Sequence, residues 1–153
     1  MKISTKGRYG LRAFIDLASY GMEEPVSISS ISSRQDISER YLEQLMALMK
    51  KAGLVKSTRG AGGGYMLAKD ASQISVGDVL RALEGNMEPA SCAALNPEET
   101  CAAEDTCVTK YVWQKINKSM ADTVDGIMID TLVRMNKTAG KEENDGKEID
   151  LFG

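Results

Sequence analysis

The 153-residue sequence contains three cysteines and no histidine, and the cysteines fall in one stretch as Cys92, Cys101 and Cys107, spaced C-x8-C-x5-C. Thiolates gathered on a polar loop can converge on a soft metal, because cysteine sulfur ligates both iron–sulfur clusters and zinc. Zinc sites normally pair Cys-x-x-Cys or add histidine, and neither is present. An odd number of cysteines also fits a disulfide framework poorly. An iron–sulfur cluster is therefore the leading reading, with structural zinc and a thiol or disulfide redox switch as alternatives. The spacing does not separate [2Fe–2S] from [4Fe–4S], and three thiolates leave a fourth ligand to find; Glu104, Asp105, water or a small thiol could supply it.

A second group of side chains suits nucleic acid. Ser38, Arg40, Tyr41, Glu43 and Gln44 open an amphipathic segment in which Leu42, Leu45, Met46 and Met49 share one face. Arginine can bond guanine bidentately, glutamine can pair with adenine, and glutamate can accept from cytosine, so this inventory can read base edges. Arg59 and Gly60 begin a glycine-rich run through Gly64, where an arginine without bulky neighbours can enter a narrow minor groove. Taken alone, these features are equally a flexible hairpin turn and a solvated lysine face formed by Lys50, Lys51 and Lys56. A phosphate-binding loop fits less well, since no Gly-Lys-Ser/Thr follows the glycines.

Charge decides between those readings. Residues 1 to 69 hold 11 Lys/Arg against 6 Asp/Glu, a net of +5, whereas residues 70 to 153 hold 8 against 16, a net of −8. The overall charge of −3 conceals a basic first part able to meet phosphates. Without histidine the usual Ser-His and Cys-His arrangements are missing, and no paired-carboxylate signature replaces them, so an enzyme is not expected. No run approaches the ~18 apolar residues of a membrane span, and no signal peptide precedes the fold, so a cytoplasmic protein without membrane contact is expected.

The elements that must position these groups follow from periodicity. Leu11, Phe14, Ile15, Leu17, Ala18 and Met22 predict a helix over 8–22, and the serine-rich run after Pro25 a short helix ending near Gln35. Ser38 caps the next helix and Gly53 stops it. Leu54–Ser57 and Tyr65–Leu67 read as a β-ribbon, and Ser75 with Asp78 as a capping box leading a helix to Gly85. From Val108 to Met135 apolar residues recur about every four positions, predicting one helix of about 42 Å whose seam needs a second copy of the chain to cover it. The fold class is thus mainly α with a small β-ribbon: a winged helix-turn-helix over 1–85, a cysteine loop over 86–107, a dimerisation helix over 108–135 and a disordered tail over 136–153.

Lys2-Ile-Ser-Thr-Lys-Gly-Arg-Tyr-Gly, Tyr41-Leu-Glu-Gln, Gly53-Leu-Val, Arg59-Gly-x-Gly-Gly-Gly-Tyr65 and the three-cysteine loop resemble the IscR-type regulators over residues 1 to 135. The resemblance implies a winged-helix homodimer that binds double-stranded DNA, holds a cluster through Cys92, Cys101 and Cys107, and controls iron–sulfur assembly genes. It favours [2Fe–2S], and implies base contacts from Ser38, Arg40, Tyr41, Glu43 and Gln44 with a minor-groove contact from Arg59 and its neighbour Gly60. It further implies that Glu43 helps choose between operator classes. The sequence departs from the pattern at Lys110, where those regulators carry a histidine as fourth ligand. The related NsrR-type nitric-oxide sensors use an acidic residue near the partner's N-terminus, and Arg8 stands at that place here. Cysteine-metabolism repressors resemble the first ninety residues but lack the loop. From a different class, an iron–sulfur carrier with a basic protein-docking surface would share the cysteines without reading DNA.

Overall fold

The computed structural model describes residues 2–92 and 94–142. Six helices and one two-stranded sheet follow in the order α1 (Thr5–Tyr20), α2 (Ile28–Gln35), α3 (Glu39–Lys51), β1 (Val55–Thr58), β2 (Gly64–Leu67), α4 (Val76–Glu84), α5 (Lys110–Gly126) and α6 (Ile129–Glu142). A short 3-10 turn, Ala71–Gln73, lies between β2 and α4.

Helix α1 begins a turn earlier than the apolar stripe suggests because the Ser4 hydroxyl accepts from the Gly7 N–H. Ala13, Phe14 and Leu17 are fully buried. Met22, expected on the same stripe, lies beyond the end of the helix at Gly21 and is 71% exposed. The second and third helices form the helix-turn-helix: Ser27 and Ser38 each accept from the backbone three residues on, and Asp36 holds the turn in the left-handed region with φ 53°. Asparagine and aspartate tolerate that conformation better than other side chains. Leu42, Leu45, Met46 and Met49 enter the core from α3 with no exposed surface, and each such burial stabilises the fold by roughly 1.5–3 kcal/mol.

The β-ribbon pairs antiparallel in the register Val55↔Leu67 to Thr58↔Gly64. It is anchored to the body by reciprocal backbone bonds between Val26 and Tyr65, at 2.9 and 2.8 Å. Gly64 is required there, since a Cβ would collide with the Val26 carbonyl oxygen. In α4 the capping box is complete: Ser75 N–H donates to Asp78 Oδ2 at 2.9 Å and Asp78 N–H to Ser75 Oγ at 3.0 Å.

The single long helix expected over 108–135 is two helices. Residues spaced four apart advance by about 40° beyond a full turn at each step, so a straight helix cannot hold such a series on one face. The chain leaves the helix after Gly126, and Ile127 adopts extended geometry. Val76 N–H then donates to the Ile127 carbonyl at 2.8 Å and Ile129 N–H to the Ile74 carbonyl at 2.9 Å. This bend delivers Ile129 and Val133 to the core, whereas α5 buries no residue. Helix α6 continues to Glu142, so the expected tail is helical where it begins at 136; its remainder, 143–153, lies outside the described residues.

Candidate nucleic-acid interface and cysteine loop

The start of α3 presents the expected side chains to solvent. Arg40, Glu43 and Gln44 are exposed, and Ser38, also exposed, is occupied as the helix cap by the Tyr41 N–H at 3.3 Å. Tyr41 is half-buried, its ring edge-on to Tyr9 with centroids 6.3 Å apart and planes at 86°. Its hydroxyl end alone can reach outward, so it is partly a packing residue. Arg59 and Gly60 lie exposed at the ribbon tip, where Gly60 takes φ 106° and its carbonyl accepts from Gly63 N–H at 3.0 Å. Lys50, at the far end of α3, donates to Ser57 Oγ of β1 at 2.7 Å and so ties the helix to the wing.

Behind this surface lies a brace that periodicity did not reveal. Asp16 is 2% exposed on α1. Arg34 donates to it through Nε at 2.9 Å and Nη2 at 2.6 Å, and Gln35 Nε2 adds a third donor at 2.9 Å. Arg34 also lies over the Tyr20 ring at 4.0 Å. The Asp16 bonds keep the Arg34 guanidinium protonated more firmly than usual, against a smaller opposing effect of burial. A buried carboxylate needs such compensation. The signal was present: an aspartate between Phe14 and Leu17, on an otherwise apolar stripe, demands a cation from a neighbouring element.

The cysteine loop has a different character. Cys92 and Cys107 are half-buried, Cys101 is exposed, and all three are free thiols. The loop is a chain of tight turns, with the Cys92 carbonyl accepting from Leu95 and Asn96 N–H groups and the Cys101 carbonyl from Glu104 N–H. Lys110, at the place of the expected histidine, donates its ammonium to the Glu104 carbonyl at 2.8 Å. Cys107 Sγ lies 3.1 Å from Thr109 Oγ1. That hydroxyl, then the Lys110 backbone N–H, hold the Cys107 thiol below its ordinary titration range. The donor types suit a soft metal, but among the described residues no three of His, Cys, Asp or Glu converge on a common point. A cluster would require the loop to close. Among the described residues no helix is long and apolar enough to cross a membrane.

Comparison with known proteins accounts for this architecture. The Rrf2 family profile, described as an iron-dependent transcriptional regulator, matches residues 3–135. Protein rrf2 of Nitratidesulfovibrio vulgaris is 42% identical over 134 residues, 88% of each chain. The HTH-type transcriptional regulator IscR of Pectobacterium atrosepticum is 40% identical over 133 residues, 87% of this chain and 79% of that one. Among solved structures, T. potens IscR superposes with a TM-score of 0.71 at 43% identity, covering 96% of this chain and 94% of the other. CymR, the global cysteine regulator of B. subtilis, gives the same TM-score at 38% identity, covering 88% and 98%. These relatives are transcriptional regulators rather than enzymes. The helix-turn-helix, the wing and the matched length all agree: the chain belongs to the Rrf2 family of transcriptional regulators.

Proposed function

We propose that this protein is a DNA-binding transcriptional regulator that acts as a homodimer and adjusts its operator affinity through an iron–sulfur cluster held by Cys92, Cys101 and Cys107. The observation that carries the cluster reading is the set of three free thiols on one loop joining α4 to α5. The motif resemblance to the IscR-type regulators leads us to take [2Fe–2S] ahead of [4Fe–4S]. When bound, such a cluster supplies redox chemistry and a tether that draws separate thiolates together. This chain's own part is to bring Cys92 and Cys101 toward Cys107 at the start of α5.

In this reading α3 enters the major groove with Ser38, Arg40, Tyr41, Glu43 and Gln44 foremost, and Arg59 with Gly60 reaches the adjacent minor groove. The second copy covers α5 and the residue leading into it: Val108 before the helix and Tyr111 and Val112 within it are 75%, 63% and 50% exposed. Two recognition helices then address half-sites about one helical turn, roughly 34 Å, apart. The domain limits of 1–85, 86–107 and 108–135 remain the functional division, with the bend at Gly126 inside the third.

The deciding experiment combines the visible spectrum, iron and sulfide content of anaerobically purified protein with operator affinity before and after cluster removal. A sulfur-to-iron charge-transfer band lost in Cys92→Ala, together with an affinity change on removal, is the expected result. A protein that stays colourless after anaerobic reconstitution would sink the cluster reading. A thiol switch would then take its place, favoured by the Thr109 hydroxyl beside Cys107. Equal affinity for operator and unrelated duplex would sink the regulator's sequence-reading role.

A further inference from the structure

Arg12 belongs to α1, outside the recognition helix and the wing, yet it is fastened beside the foot of the recognition helix. Its Nη2 donates to the carbonyl oxygen of Gln35, the last residue of α2, at 2.8 Å. Its Cζ stands 5.5 Å from the centre of the Tyr9 ring, and Tyr9 packs edge-on against Tyr41 in the first turn of α3. The side chain is nevertheless exposed. A guanidinium carries five N–H donors in a planar fork. Gln35 engages one nitrogen, and among the described residues the rest of the fork has no hydrogen-bond partner.

We propose that Arg12 is a backbone-phosphate contact, gripping the DNA strand that passes the N-terminal end of α3. The inference rests on the reading of α3 as the recognition helix. In that geometry the first residues of the recognition helix reach base edges, while the helix before it, here α2, crosses the sugar–phosphate backbone, and Arg12 is bonded to the last residue of α2. The position of Arg12, linked through Tyr9 to Tyr41 and through Gln35 to the turn before Ser38, places a cation along that crossing. The guanidinium fork matches a phosphate bidentately. Because Tyr9 and Gln35 already hold the side chain, little rotamer freedom is left to lose when the phosphate arrives.

A purely structural brace and a phosphate contact differ in their response to salt. Neutralising one phosphate releases counterions, so each contact contributes about 0.9 to the slope of log affinity against log salt on B-DNA. The measurement is fluorescence anisotropy of the full chain on two probes: the duplex it enriches from a random-sequence pool, and an unselected duplex of equal length. Arg12→Gln is expected to lower the slope by about 0.9 and to weaken both duplexes by the same factor. Arg12→Lys, which keeps the charge, is expected to retain the slope. An unchanged slope in Arg12→Gln, with or without a lower preference for the enriched duplex, would overturn the proposal and leave Arg12 as a brace. Circular dichroism melting of both variants separates these outcomes from misfolding, and Arg12→Met, which keeps the aliphatic stem without the charge, carries the slope test if Arg12→Gln does not fold. If the unmodified chain does not distinguish the two duplexes, the recognition-helix reading has failed and takes the Arg12 contact with it. Discrimination by the unmodified chain with an unaffected Arg12→Gln rejects the Arg12 contact alone.

Discussion

The winged-helix region and the cysteine loop meet at Gly85 but are held together by opposite means. In the first, a carboxylate buried to 2% exposure answers an arginine and a glutamine from the next helix, and a full row of apolar side chains closes beneath. In the second, three thiols remain free, short turns bond to themselves, and the following helix α5 has no fully buried residue, only a half-buried side such as Val124 against the core. A surface that must meet DNA in one fixed geometry is completed within a single chain. On the function proposed above, the second surface senses a ligand and pairs with a copy, and it stays incomplete until both arrive.

The largest expected effect strikes the completed region. Arg34→Ala leaves Asp16 buried with Gln35 as its remaining donor, and loss of one partner of such a pair is expected to cost about 3 kcal/mol of stability in urea unfolding. Asp16→Asn should cost less, because Arg34, with 31% of its side chain exposed, can turn to water. Equal losses from the two would show that the brace is not asymmetric in burial. Next in size, Gly64→Ala forces a Cβ against the Val26 carbonyl and should cost about 2 kcal/mol by breaking the Val26–Tyr65 anchor. Glu99→Ala, on the exposed loop, is the contrast and should stay within about 0.5 kcal/mol.

How far the sequence could be read follows the same division. Ser27, Ser38 and Ser75 announced three helix starts, because capping is a local matter of one hydroxyl and a backbone N–H three residues on. The exposed set Arg40, Glu43 and Gln44 was legible as well, since the buried stripe of α3 leaves them no other side, and Arg59 was legible from the glycine run that follows it. The bend after Gly126 was not, because it is made by backbone bonds to Ile74 and Val76, fifty residues away in a different element. Nor was the setting of Arg12, because its hydrogen bond goes to Gln35 on a different helix. The three thiols stand out as a set by spacing alone, yet spacing does not bring them together, and no three ligating side chains converge among the described residues.

A smaller effect on the isolated fold sharpens the comparison from the other side. Val112→Glu alters a residue that is 50% exposed on α5 and should change the unfolding free energy of dilute protein by no more than about 0.5 kcal/mol. Sedimentation velocity at higher concentration should nevertheless show the dimer shifted to monomer, because a carboxylate would be buried in the seam. A clear loss of stability in dilute protein would mean that α5 is packed within its own chain and that the second region is not incomplete in the sense argued above.

The smallest expected effect isolates the loop chemistry without touching the fold. In cluster-free protein, the Thr109 hydroxyl and the Lys110 backbone lower the Cys107 thiol, so the thiolate persists to lower pH than that of an ordinary cysteine. The sign follows directly: the folded loop favours the ionised sulfur, so whatever order this bond contributes is present above the ordinary thiol range and is lost as pH falls through the lowered value. Thr109→Val should move the pH midpoint of Cys107 alkylation upward, read peptide by peptide with the Cys92 and Cys101 peptides as internal controls, while leaving thermal unfolding unchanged. A midpoint that does not move would assign the thiolate to the backbone at the start of α5 rather than to the hydroxyl. The loop would then owe its reactivity to the helix that the proposed dimer would cover, and the two unfinished parts of the molecule would be one device instead of two.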